Sequence, residues 1–160
     1  MAILGLIPFV ANASGAVEDF KGKPRDIEFT VGGLAGLGII DSTAGFALLG
    51  TAAKKIINHG FVADINNQVF LETALGPVFA AGTTTFFYSL HLRWDFEKDQ
   101  EWTFFALGGL GGDVTGDKLG NHWELFPRFG VGALWHMNPT LTLRGEISHE
   151  LIALGVSFGF

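Results

Sequence analysis

Charged side chains recur in this sequence at intervals of two residues. His91, Arg93 and Asp95 follow one another in this way, and Arg144 and Glu146 repeat the spacing near the carboxyl end. Residues two apart point to the same side of an extended strand. The spacing therefore predicts acids and bases on one face of a sheet, where they can form ion pairs with each other and with neighbouring strands.

A short stretch near the carboxyl end carries the residue types of a nucleophilic hydrolase. Ser148, His149 and Glu150 are consecutive, and such side chains can serve as nucleophile, base and orienting group. Adjacent residues on a strand point to opposite faces, so a hydrogen bond between Ser148 and His149 requires a turn there. A polar loop tip is the favoured interpretation, and hydrolysis is the alternative.

Metal chemistry has little support in the sequence. The 5 histidines show no metal-ligand spacing, and there is no cysteine to supply a thiolate. The stretch Gly111–His122 carries Asp113, Thr115 and Asp117, but a calcium loop would also need a terminal glutamate at the right spacing. We therefore predict neither a metal ion nor another cofactor.

The element that must position these groups is the β-strand. In Thr85–Glu97 large apolar side chains alternate with a second set that, apart from Phe87, is polar or charged. The apolar set is Phe86, Tyr88, Leu90, Leu92, Trp94 and Phe96. A strand separates the two sets completely, whereas helical spacing would scatter both around the cylinder.

The same alternation recurs along the chain and predicts eight strands. Tight-turn signals at Asn66-Asn67, Lys98-Asp99 and Asn138-Pro139 belong to one end of the sheet. The other end would carry more variable loops, near Asp41 to Ala52, Ala80–Thr83, Gly111–Asn121 and Ser148–Glu150. The strands are expected near 27–40, 53–65, 68–80, 84–97, 101–111, 122–136, 139–148 and 151–160. An even count with both termini at one end predicts an all-β fold, an eight-stranded antiparallel up-and-down barrel over residues 26–160.

One segment is ambiguous between helix and strand. In Asp41–Gly60 the residues Phe46, Leu49 and Ala53 share a helical face, and Gly60 could end a helix. We expect a long first loop with helical character, followed by the second strand.

Composition narrows the class of protein. Hydrophobic residues make up 48% of the chain and charged residues only 16%, below the roughly 25% of soluble domains. No stretch reaches the ~18 consecutive apolar residues of a membrane-spanning helix. The net charge of −6 argues against nucleic-acid binding.

Residues 1–25 are expected to be a leader, either a signal remnant or a short plug, because the apolar run Ala2 to Ala11 resembles a secretory signal.

The apolar face is expected to point outward into lipid. An eight-stranded barrel has an interior just wide enough for side chains, so the many Phe and Trp residues would overfill it. The opposite face is mostly Gly, Ala, Ser and Thr with a few charges, which suits a narrow polar interior. Trp94, Trp102, Trp135 and Tyr88 fall where several would sit near strand ends, as in interfacial aromatic girdles.

The carboxyl-terminal strand LIALGVSFGF, with its final Phe160, resembles the last strand of small outer-membrane β-barrels of Gram-negative bacteria, of the OmpA/OmpX/OmpW type. The hairpin Phe129–Ser148 is similar to the penultimate hairpin of the same proteins. The resemblance implies an outer-membrane location, contact with the lipid bilayer, and recognition of Phe158 and Phe160 by the barrel-assembly machinery. Some outer-membrane barrels deacylate lipid A, but this chain lacks the His-x-Ser-Asn pattern of those enzymes.

The candidate functional residues then lie inside the barrel. Charges in a low-dielectric interior must be paired, so we expect a salt-bridge network that fills and rigidifies it. The predicted members are Glu28, Glu72, His91, Arg93, Asp95, Arg128, His136, Arg144 and Glu146. The favoured function is a non-enzymatic structural or surface-interaction barrel, alone or with an envelope protein partner. The alternatives are a narrow channel or transporter for small molecules and a lipid A-modifying hydrolase.

Overall fold

The computed structural model describes residues 25–40, 43–80, 82–117 and 120–160, so the predicted leader lies almost wholly outside the described residues. Its strands form one closed antiparallel barrel in which each strand pairs with its neighbours in chain order and β1 pairs with β8. The strands are β1 Phe29–Ile40, β2 Thr43–Ile57, β3 Asn67–Ala80, β4 Thr83–Glu97, β5 Trp102–Asp117, β6 Gly120–His136, β7 Leu141–Ser148 and β8 Leu151–Gly159. The predicted eight-stranded barrel is confirmed. Among these residues no helix has the length and apolar character needed to cross a membrane.

The second strand differs from the sequence-based expectation. A long first loop and a strand near 53–65 were predicted, and both are wrong. β2 runs from Thr43 to Ile57, and its first residue, Thr43, already pairs with Ile40 at the end of β1. Phe46 and Leu48 face outward while Ala47 and Leu49 are buried. The segment therefore has a two-residue period as well as a helical one, and pairing along β1 selects the strand.

The segment Gly111–Asn121 is also mostly strand rather than loop. β5 continues to Asp117 and β6 begins at Gly120, with Asp113 opposite Glu124 in the ladder. Its many glycines are compatible with the extended pairing. The hairpin formed by β5 and β6 is consequently the longest in the barrel.

The connections at the two ends of the barrel differ in length. Those at the end that carries residue 25 and Phe160 are 58–66, 98–101 and 137–140. Those at the opposite end are only 41–42, 81–82, 118–119 and 149–150. We call these the terminal end and the short-turn end. Tight turns were expected at the terminal end and longer loops at the other end. The observed order of connection lengths is the reverse.

Two glycines on β5 and β6 allow close approach of neighbouring groups. A Cβ atom on Gly109 would lie 2.6 Å from Cβ of His91, and closer still to the backbone oxygen of Leu90. A Cβ on Gly132 would overlap the ring of Phe105. These positions therefore require glycine, because the backbone of β4 occupies the space beside Gly109 and the ring of Phe105 occupies the space beside Gly132.

Candidate functional site: the interior network

Glu72 on β3 is the centre of the interior network. Its side chain is 1% exposed, and it lies opposite His91 in the ladder between β3 and β4. One carboxylate oxygen lies 3.1 Å from Nε2 of His91 and 2.7 Å from Nη2 of Arg144 on β7. The other oxygen accepts a hydrogen bond from Nη1 of Arg93. A single acid thereby joins three strands.

Arg93 on β4 links Glu72 to a second acid, Asp95, which lies two residues further along the same strand. Its Nε donates to Asp95 Oδ1 at 2.8 Å and its Nη2 donates to Asp95 Oδ2 at 3.0 Å. Such a two-pronged pair fixes the orientation of the guanidinium as well as its charge. The guanidinium also lies 4.7 Å from the ring centroid of Phe70, which supplies a cation–π contact.

The network continues from Arg144 towards the short-turn end. Nη2 of Arg144 donates to Glu146 at 2.5 Å, and Glu146 also accepts from Nη2 of Arg128. Arg128 donates from Nη1 to Oγ of Ser89 at 2.8 Å, and its Nε forms an ion pair with Glu150 Oε1 at 3.0 Å. The ion pairs therefore form one connected chain from Asp95 to Glu150.

The structure brings together most of the predicted interior set. His91, Arg93, Asp95, Arg128, Arg144, Glu72 and Glu146 are all buried in the chain of contacts. His136 is half-buried apart from it, with its ring nitrogens 2.9 Å from the hydroxyls of Thr103 and Thr142. Glu28 lies outside, because its side chain is 64% exposed and pairs with Lys55 at 3.4 Å.

Several members of the interior network lie outside the predicted set. Glu150 was placed in a loop tip, yet it is buried and reaches Arg128. Ser89 accepts from the same arginine. Gln68 shares the two-residue period of Glu72, and that signal in the sequence could have identified it.

The terminal end of the interior is covered by Arg25. Its backbone oxygen accepts from Nζ of Lys55 at 2.7 Å, and its Nη2 donates to the backbone oxygen of Gln100 at 2.7 Å. Its backbone N–H donates to Glu97 Oε1 at 3.2 Å. Burial lowers the pKa of the Arg25 guanidinium, and the nearby Glu97 and Asp99 oppose this. The segment before β1 thus crosses the mouth of the barrel.

A small cavity lined by both polar and apolar side chains lies beneath Arg25. It is lined by Gln68, Arg93, Asp95 and His136 among others, and its volume of about 20 Å³ is enough for a water molecule. The cavity separates the ion-pair chain from the residues at the mouth.

The interior is less uniformly polar than the sequence predicted. Leu34, Leu49, Val78, Phe87 and Leu151 form a buried apolar cluster that spans several strands. Phe126 packs against this cluster, and its ring centroid lies 6.2 Å from that of Phe87. Part of the barrel is therefore filled by hydrocarbon side chains.

The outer wall carries aromatic side chains near both ends. At the terminal end Trp102 and Trp135 are opposite each other in the ladder and stack with centroids 6.1 Å apart. Towards the short-turn end Tyr88 meets Trp123 at 6.4 Å. Between these groups the wall exposes large apolar side chains such as Leu90, which is 58% exposed.

The terminal phenylalanine closes the seam between the first and last strands. The N–H of Phe160 donates to the oxygen of Phe29 at 2.8 Å, and its own oxygen accepts from the N–H groups of Glu28 and Phe29. Phe158 lies opposite Val31 and faces outward. Both phenyl rings therefore remain on the lipid-facing surface.

Ser148 and His149, the candidate nucleophile and base, have other partners and do not pair with each other. The hydroxyl of Ser148 donates to the backbone oxygen of Leu151 at 3.3 Å. Nδ1 of His149 lies 3.0 Å from Glu150, and its ring stacks on Phe129. Within the described part of the chain no group of three His, Cys, Asp or Glu residues could hold a metal ion.

Solved structures that are similar to this barrel include bacterial β-barrels and a designed transmembrane barrel. Ail of Yersinia pestis, solved in complex with the heparin analogue sucrose octasulfate, is 11% identical with a TM-score of 0.55, over 83% of this chain and 97% of that chain. The amino-terminal β-barrel domain of Pseudomonas aeruginosa OprF is 10% identical with a TM-score of 0.56, over 83% and 97%. The fold is that of a small outer-membrane β-barrel. A barrel from the de novo design of transmembrane β-barrels is 16% identical with a TM-score of 0.55, over 88% and 99%.

Sequence comparison adds nothing to this likeness. No protein-family model matches the chain, and no curated protein matches it significantly. The structural neighbours nevertheless include Ail in a phospholipid bilayer nanodisc, which is 12% identical with a TM-score of 0.52, over 84% of this chain and all of that one. The predicted resemblance to outer-membrane barrels is confirmed at the level of the fold, and the apolar outer wall matches a lipid environment.

Proposed function

We propose that the protein is a closed, non-conducting barrel of the bacterial outer membrane with a structural role. One observation carries this proposal: the buried ion-pair chain from Asp95 to Glu150 occupies the interior. Arg128 and Glu146 have side chains that are 0% exposed, and those of Glu72 and Arg144 are 1% and 2% exposed. Removing one partner from such a buried pair costs about 3–5 kcal/mol, so a route along this chain would require several costly separations.

A structural role is preferred over binding of large ligands. Loops on the outside of small barrels ordinarily supply the binding surfaces. Here the connections at the short-turn end are two residues each, at 41–42, 81–82, 118–119 and 149–150. They leave little surface for a ligand, which supports a scaffold that holds its place in the bilayer or contacts an envelope partner through its wall.

Assembly into the membrane is a separate part of the proposal. We propose that the barrel-assembly machinery recognises the last strand through Phe158 and Phe160. Support comes from the outward position of Phe158 and the exposure of Phe160, which is 67%. These rings are available to a partner before the strand closes the seam.

Planar-bilayer recordings test the closed state. We expect no discrete channels from the purified protein. Arg144→Ala removes one cation from the buried chain, while Lys54→Ala removes an exposed cation from the wall as a matched control. Discrete channels that Arg144→Ala or Arg93→Ala abolishes, and that Lys54→Ala leaves intact, would contradict the structural role.

The second candidate is a narrow pore. The cavity beneath Arg25 favours it, because this cavity places hydratable space directly beside the Arg93–Asp95 pair. In that case the ion pairs would separate and re-form during passage. The same recordings distinguish the two functions, since only the pore produces currents that depend on Arg93.

A further inference from the structure

The connection 58–66 between β2 and β3 is longer than the other two connections at the terminal end, 98–101 and 137–140. Outer-membrane barrels ordinarily have short turns at this end and longer loops at the other. The additional chain here is therefore a feature of this protein that the barrel fold by itself does not require.

Asn67 holds this connection against the outer wall. Its Nδ2 donates to the backbone oxygens of Val62 at 2.7 Å and Ile65 at 2.8 Å. Its Oδ1 accepts from Nε1 of Trp94 at 2.8 Å, and its backbone oxygen accepts from the N–H of Gly60 at 2.7 Å. The connection is thus folded at the side of the barrel instead of crossing its mouth.

The folded connection presents three large apolar side chains. Phe61 is 70% exposed, and Val62 and Ile65 are each 38% exposed. The ring of Phe61 meets that of Trp94 edge-on at 5.4 Å, and Trp94 in turn lies 4.7 Å from Phe96 on the outer wall. The apolar surface of the connection therefore continues the lipid-facing surface of β4 without a polar break between these rings.

We infer that the connection 58–66 is an interfacial lipid anchor. Phe61, Val62 and Ile65 insert into the leaflet at the terminal end, while the exposed Asp64 stays in the aqueous headgroup region. Aromatic and aliphatic side chains favour this boundary, and their burial in lipid fixes the depth of an interfacial segment. The inference rests on the membrane location proposed above and names a phospholipid surface as the partner.

Spin labels at single cysteines test the anchor without background, because the chain has no cysteine of its own. We would place a nitroxide at Phe61, at Asp64 or at Leu90 in the full chain. The proteins are reconstituted into vesicles of phosphatidylcholine and phosphatidylglycerol. Collision with oxygen, which concentrates in lipid, is compared with collision with a water-soluble nickel chelate.

The anchor predicts a ratio of oxygen to nickel accessibility that is several-fold higher at Phe61 than at Asp64, and highest at Leu90. A second label at Ile65 should follow Phe61 and guards against a local disturbance by the first. If the labels at Phe61 and Ile65 are as accessible to nickel as the label at Asp64 while Leu90 remains in lipid, the anchor is overturned and the membrane location stands. If Leu90 itself is accessible to nickel, both are overturned.

Discussion

Glu72 and Arg144 form an ion pair at 2.7 Å across the barrel, although they belong to β3 and β7. In a closed ring of eight strands these two are diametrically opposite. The pair therefore ties two walls that share no ladder hydrogen bonds, and it sets the distance between them. This arrangement depends on long side chains meeting near the axis.

Glu72→Gln should destabilise the barrel by about 3–5 kcal/mol, because Arg93 and Arg144 would lose the carboxylate that balances their buried charge. Urea unfolding in detergent micelles, followed by tryptophan fluorescence, measures the change. Glu101→Gln at an exposed position is the control and should shift the free energy of unfolding by less than about 0.5 kcal/mol. Equal effects of the two substitutions would count against the network.

The double variant Glu72→Gln with Arg144→Met should lose less stability than the sum of the two single variants. Each single change leaves an uncompensated group, whereas the double change removes both members of the pair. Coupling energies of about 0.5–3 kcal/mol are usual for residues in contact. A complete double-mutant cycle in the same unfolding assay would show additive losses if the two side chains did not interact.

Gly109→Ala and Gly108→Ala form a matched pair on β5. The new methyl group at residue 109 would overlap the Leu90 backbone and His91, whereas a Cβ at residue 108 would meet no atom within 4 Å. We expect Gly109→Ala to cost about 1–3 kcal/mol, as overpacking does. Gly108→Ala should be neutral or stabilise by up to about 1 kcal/mol. The order of the unfolding midpoints checks this, and a reversed order would contradict the close approach.

Asp99 should make the stability of the turn 98–101 depend on pH. Slight burial raises the pKa of its carboxyl, but the hydrogen bonds from the N–H groups of Glu101 and Trp102, at 2.9 Å and 2.8 Å, outweigh this effect, so the net pKa lies below the ordinary 3.8. A lowered folded-state pKa contributes stability above the unfolded value, and this contribution is lost as the pH falls through the folded value.

Asp99→Asn is the test of this dependence, because it keeps the acceptor oxygen but removes the titration. Asn138 already accepts in the same way from the N–H groups of Thr140 and Leu141. The part of the acid-induced loss of stability due to residue 99 should disappear in the variant. An unchanged pH profile would show that the carboxylate contributes nothing.

Phe160→Ala should slow assembly in cells more than it affects the folded barrel. The backbone hydrogen bonds between residue 160 and Phe29 persist in this variant, since they do not involve the ring. Unassisted refolding into vesicles should therefore be nearly unchanged, while the amount of assembled protein in the outer membrane falls. Equal losses in both assays would assign the ring to stability instead of recognition.

The sequence predicted those elements best whose two faces differ most. On β4 the alternation around Leu90 and Arg93 separates lipid-facing from interior groups completely, so both the strand and its orientation could be predicted. The prediction for β2 failed because apolar residues such as Leu48 and Leu49 occupy both of its faces, and the spacing of its apolar residues also fits a helix. Without a polar face, only pairing with β1 reveals the strand.

The interior network was predictable as a set of residues but not as a set of contacts. The two-residue period selects Glu72 and Arg144, yet nothing in the spacing shows that they meet across the axis. Glu150 and Arg25 lie outside the strands, so no period marks them. Their positions depend on where short connections end, and that is decided only once the ring is closed.

Arg25 imposes an order on the folding reaction. Its contacts involve Lys55 on β2, Glu97 on β4 and the backbone of Gln100, and these groups are far apart until the sheet has curved fully round. The segment around Arg25 can therefore dock only late in folding, after the strands have closed into the barrel. Pulsed hydrogen exchange during refolding should therefore show protection at residue 25 only after the strands are protected.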